Sequence, residues 1–208
     1  MLNLLRKDFI ALKSSLWMTL FYLAVFSIAF IPRSDFSIYF VGIYTAFASV
    51  SLVTMIDIKN NNHQFLVTLP VSRKHIVQAK YITAILFMLF GVLGSFGIHW
   101  FVKLAFPQLN KPDYTVLEIL VPMGILLVLT SIYMPLFYAL SKKGAGIINA
   151  VFLIALIIMA QPTAFMMTLL NENHMMSSNL LFMTAAGILL LFIASYYVAV
   201  TLFSRKDM

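Results

Sequence analysis

The chain has 208 residues, 62% of them hydrophobic and only 10% charged, with a mean hydropathy of +0.97. Soluble domains carry about 45–50% apolar and about 25% charged residues, so this balance excludes a water-soluble globular protein and leaves helices or a closed barrel in a bilayer. The net charge of +7 would suggest nucleic acid in a soluble chain but here follows membrane topology, and the lack of cysteine removes disulfide and thiol chemistry.

Apolar runs are long and do not alternate at period two, which selects helices. Residues 2–12 place Leu2, Leu5, Phe9 and Leu12 at spacings of three, four and three, with Arg6, Lys7 and Asp8 between them. That period predicts an amphipathic helix lying in the membrane interface. A first span is expected over 16–31, stopping at Pro32, with Lys13 snorkelling from its first turn. Ala29-Phe30-Ile31-Pro32 is not a small-x-small cleavage site, so this segment reads as a retained span and not a removed signal. The tight turn Arg33-Ser34-Asp35 leads to a second span over 36–56, free of charge. Its Gly42, Ala46 and Ser49 form a small-residue stripe that permits close helix contact.

Residues 57–75 concentrate charge and turn signals. Lys59, Arg73 and Lys74 flank His63, three asparagines beginning at Asn60, and an apolar group of Phe65, Leu66, Val67 and Leu69 closed by Pro70. Ser72 reads as the N-cap of a helix starting at Arg73, although His75 in place of an acid leaves the capping box incomplete. The bases, with Lys80 at the headgroup level, are accounted for by topology and anionic lipid. The apolar group is not, because a free loop has no reason to expose it. It reads as a docking surface.

A third span is expected over 76–101, where Gly91, Gly94 and Gly97 recur every third residue as a close-approach face. His99 and Trp100 fall at its far end, at the headgroup level. Pro107 and Pro112 make 103–115 a loop. A fourth span, 116–140, contains Pro122 and Pro135 and is expected to bend near both ends. Lys142 and Lys143 sit in a short turn before a fifth span over 145–161, and a sixth covers 180–203. Tyr133 and Asn149 are nominated for a translocation path or for packing between spans.

Six spans put both termini on one side. That side holds Arg6, Lys7, Lys13, Lys59, Arg73, Lys74, Lys80, Lys142, Lys143, Arg205 and Lys206, against Arg33, Lys103 and Lys111 opposite, a split of 11 to 3 of the 14 basic residues. Basic residues gather on the inside, so the termini are expected in the cytoplasm. No charge lies near the middle of any span, which disfavours an ion-coupled carrier. No HExxH, no intramembrane aspartate pair and no GxxxxGK[ST] run occurs, and the four histidines are dispersed, so neither a proteolytic site, a metal site nor an ATP site is read from this chain.

Asp57 followed by NHQFLVTLPVSRKHIVQAKYI (62–82) resembles the signature of small ABC-2 type permeases, in which an acidic residue precedes LLxSLPxSRxxIVxxKY. The matching positions are Leu66, Leu69-Pro70, Ser72-Arg73, Ile76-Val77 and Lys80-Tyr81. The departures are Val67-Thr68, and His75 where an acid is frequent. The resemblance implies an all-α, six-span permease of the type V exporter kind with an N-terminal interfacial helix (Leu2, Leu5, Phe9, Leu12). It implies pairing with a second, same or homologous, permease chain in a bacterial cell membrane. It implies a coupling helix within 60–69 that seats a separate ATPase, with Asn60, His63, Phe65, Leu66, Leu69, Pro70 and Arg73 at the contact. ATP and magnesium would then reside in the partner, with no cofactor on this chain. The chain is also similar to permeases exporting phenol-soluble modulins or antimicrobial peptides, which implies amphipathic peptide or lipid-like cargo. The alternative class is a non-transporting immunity or assembly protein of the membrane. The Phe- and Met-rich spans offer an adaptable apolar surface to such cargo or to lipid.

Overall fold

The computed structural model describes residues 16–34, 36–59, 72–109, 111, 117–140, 144, 146–156, 158 and 178–205. Among these the chain forms α1 (Leu16–Phe30), α2 (Ser37–Lys59), α3 (Arg73–Ala105), α4 (Leu117–Ala139), α5 (Gly146–Leu156) and α6 (Ser178–Arg205), with a 3-10 turn at Pro107–Leu109. Helices α2, α3, α4 and α6 are long and apolar enough to cross a membrane, and α1 and α5 are shorter apolar helices. The protein is an all-α, multi-pass membrane protein. The interfacial helix expected over 2–12, with Leu2, Leu5, Phe9 and Leu12, lies outside the described residues, as does 60–71.

Helix α2 is the hub. Sixteen of its 23 residues are buried, and it packs most extensively along α3, with α1 and α4 on its other sides. A helix that is apolar all round belongs inside a bundle. Lipid supplies no hydrophobic drive between helices, so close backbone approach and hydrogen bonds must hold them together. The small residues of α2 meet the first need. A Cβ added at Gly42 would lie 3.5 Å from Ser95 and from the Val92 backbone, and one added at Gly91 would stand 2.6 Å from the backbone nitrogen of Ala46. Gly94 instead faces Leu23 of α1, and Gly97 has nothing within 4 Å. The three glycines therefore do not share one face. A step of three residues falls about 60° short of a full turn, so each successive glycine rotates away from the last.

Aromatic rings fill the larger gaps. Tyr133 of α4 meets Phe47 of α2 and Phe152 of α5 edge-on, each at 5.4 Å, and Tyr44 lies between Phe26 and Phe30 of α1. The outward faces carry Trp17, Phe21 and Ile28 on α1 and Phe182, Met183 and Leu190 on α6, as contact with lipid requires.

Helix α4 runs without interruption through Pro122 and Pro135. Pro135 has no N–H to donate to the Ser131 carbonyl one turn back. The Ser195 hydroxyl of α6 donates to that carbonyl at 2.7 Å. Since its one proton is used there, Ser195 accepts from Tyr81 of α3, also at 2.7 Å. The local defect in α4 thus becomes a tie among three helices.

Candidate functional site

The segment 60–71 carries most of the residues nominated for docking, and Asn60, His63, Phe65, Leu66, Leu69 and Pro70 lie outside the described residues. Its two ends are described, and both are built into the bundle.

At the first end, α2 continues past the expected boundary at 56 to Lys59, so Asp57 is helical and not in a loop. It forms an ion pair with Lys80 of α3, and the two side chains are only 4% and 6% exposed. Sequence reasoning placed Lys80 among the headgroups and Asp57 in the loop. The structure brings them together because the α2–α3 packing reaches Asp57 and removes both charges from solvent. Two charges removed from water are costly unless paired, and removing one partner leaves the other stranded. The pair therefore ties the end of α2 to α3.

At the second end, α3 begins at Arg73, with Ser72 as its N-cap in extended conformation. The Ser72 hydroxyl accepts from the His75 amide and meets His75 Nδ1 at 2.9 Å, so His75 contributes at the position where an acid would complete the usual box. Arg73 donates from Nη1 to the carbonyls of Phe203 and Ser204 at 3.2 and 2.7 Å. Those carbonyls lie in the last turn of α6, where a helix leaves acceptors unpaired and gathers partial negative charge. A cation there is doubly favoured. The start of α3 is thereby fixed to the end of α6.

Behind the ion pair runs a string of polar side chains. Thr54 of α2 and Lys80 border the same void of about 10 Å³. Thr54 is hydrogen-bonded to Tyr133 of α4, whose hydroxyl donates to Oδ1 of Asn149 on α5. Tyr133 and Asn149, nominated for a path or for packing, are both fully buried in this string. Nδ2 of Asn149 has no partner among the described residues. At the far end of the bundle His99 is buried, not at the surface as its position near Trp100 suggested. Its Nδ1 lies 2.7 Å from the Ser95 carbonyl, which can only accept, so Nδ1 carries the proton. In the neutral ring Nε2 then accepts from Ser37 of α2 at 2.8 Å. Trp100 is 61% exposed, as an interfacial ring would be.

These groups include one hydroxyl–imidazole pair, Ser37 and His99, buried between α2 and α3. They make helix-to-helix ties: α2 to α3 at both ends, α2 to α4 and α5 through Tyr133, and α3 to α4 and α6 through Ser195. At the two positions flanking 60–71 these ties join α2 to α3 and α3 to α6. Sequence reasoning missed Asp57–Lys80 as a pair, although opposite charges closing a helical hairpin were a usable signal. It had no signal for Ser195, one hydroxyl among several in an apolar helix.

The model of the ABC-2 family transporter protein matches residues 3–204, almost the whole chain. No curated protein and no solved structure matches the sequence. The chain belongs to the ABC-2 family.

Proposed function

We propose that this ABC-2 family member is the membrane permease subunit of an ATP-driven exporter, receiving a separate ATPase on its 60–71 segment. The observation that carries the reading is the anchoring of both ends of that segment. Asp57–Lys80 secures the one and Arg73 on the α6 terminus the other. A segment serving only as a connector has no need of a buried ion pair at one end and a capped helix terminus at the other. An apolar contact formed by Phe65, Leu66, Leu69 and Pro70 would move with the hairpin that carries it.

In this reading all six helices cross the bilayer, both termini are cytoplasmic in a bacterial cell membrane, and residues 2–12 lie along the surface beside the docking segment. ATP hydrolysis belongs to the partner, and a second permease chain, same or homologous, completes the assembly. The cargo is an amphipathic peptide or lipid-like molecule. The support for it is the likeness to modulin and antimicrobial peptide exporters, together with spans that hold no central charge for an ion.

The test is affinity purification of the tagged chain from its native membranes, scored for a co-purifying ATPase carrying a Walker A sequence. Phe65→Asp combined with Leu69→Asp is expected to abolish co-purification while the chain still inserts. Undiminished ATPase recovery with that double variant would refute the docking site. Peptide release compared between cells with and without the permease tests the cargo.

A further inference from the structure

A cavity of about 320 Å³ opens between α2, α4, α5 and α6, in the half of the bundle opposite the Asp57–Lys80 end. Its walls include Phe40 and Tyr44 of α2, Gly124 and Val128 of α4, Leu156 of α5 and Ile188 of α6. Tyr44 stands about 10 Å along the axis from the Ser37 end of α2, and Ile188 about 15 Å from the start of α6. That range falls within one leaflet of a hydrocarbon layer about 30 Å thick.

Water is a poor occupant. A buried water needs two to four polar partners, and an apolar cavity of about 150 Å³ stays dry and takes up benzene. The hydroxyl on these walls, that of Tyr44, already donates to the Leu156 carbonyl at 3.0 Å. The cavity is half-open, and exposed side chains flank its walls. Leu120, one turn from Gly124, Ile154, beside Ala155 in the wall, and Leu189, next to Ile188, are all exposed. Gly124 keeps the passage between α4 and α6 narrow but open, for a Cβ there would already touch Ile188 at 3.4 Å.

We propose that this cavity seats one acyl chain of a membrane lipid, entering from the side between the helices. A single chain is flexible, apolar and always present at that depth. The inference does not depend on the cargo or on the ATPase.

The test places the purified full chain in nanodiscs containing a phospholipid with a diazirine on its acyl chain, and maps the photolabelled residues by mass spectrometry. Ile43 and Tyr44 are buried from the bulk bilayer, so label on them reports a chain inside the cavity. Label at both is expected, and Val128→Trp should remove it while label at Phe21 on the outward face of α1 stays unchanged. Should Val128→Trp fail to fold by helical circular dichroism, Gly124→Leu fills the same space. Absence of label at Ile43 and Tyr44 in the native chain overturns the proposal, as does label that persists in the filled variant. Label obtained only from a diazirine-bearing amphipathic peptide, and not from the phospholipid, overturns it as well.

Discussion

Pro135 of α4 and Ser195 of α6 are complementary: the proline withholds an amide proton from the Ser131 carbonyl, and the serine hydroxyl supplies one at 2.7 Å. A transmembrane helix tolerates proline where a neighbour satisfies the carbonyl it frees. Here the neighbour is itself held by Tyr81, so one residue's defect binds α3, α4 and α6. Ser195→Ala should lower stability by about 1 kcal/mol, the usual order for a hydrogen bond between membrane helices. Pro135→Ala restores the amide, so the double variant should unfold at a higher temperature than Ser195→Ala alone. Thermal unfolding in detergent measures both, and equal melting of the double and single variants would separate the two residues.

The Asp57–Lys80 pair makes a sharper prediction about charge. Lys80→Met or Asp57→Leu alone leaves a buried charge without its counterion and should cost about 3–5 kcal/mol. Changing both together to apolar residues should recover most of that loss, since neither charge then needs solvation. Assembly should return with stability. Melting temperatures of the two single variants and the double decide it, and a double variant as unstable as the sum of the singles would contradict the pair.

Glycines of α3 divide by surroundings. Gly91→Val should drive α2 and α3 apart, because even its first carbon meets the Ala46 backbone. Overpacking of this kind costs about 1–3 kcal/mol. Gly97→Ala meets open space and should be neutral or stabilising by up to about 1 kcal/mol through helix propensity. Folded yield and melting temperature read the contrast.

Arg73 separates docking from transmission. It donates to two carbonyls of α6 and is partly exposed. Arg73→Ala should therefore leave ATPase co-purification intact, cost about 1 kcal/mol of stability and lower transport. Arg73→Lys should recover only part, because both bonds come from one terminal nitrogen, Nη1, and the shorter lysine stem must bring its ammonium to that same point. Quantifying bound ATPase beside peptide release checks this; loss of ATPase with Arg73→Ala would move the residue into the docking surface itself.

Much of the architecture was written in composition and run length. Membrane class, helical type and the approximate places of the helices follow from the cost of exposing backbone polar groups to hydrocarbon, which acts on every residue alike. Membership of the ABC-2 family was legible at 57–82, where turn chemistry and charge are locally dense. What the sequence left open is which polar side chains meet. Serine, threonine and tyrosine occur on every span, and a hydroxyl in an apolar helix can bond its own backbone as readily as a neighbour. Only helix rotation and register decide between these, and both come from packing among helices distant in sequence. So Lys80 read as a headgroup cation and proved to be a buried partner of Asp57. His99 read as an interfacial residue and proved to be buried against Ser37. Gly91, Gly94 and Gly97 read as one face and proved to have three different surroundings. The spans came from the chain's relation to lipid, a local and additive property. The ties among them came from tertiary structure, because a hydrogen bond or ion pair exists only where two helices present matching groups at the same depth.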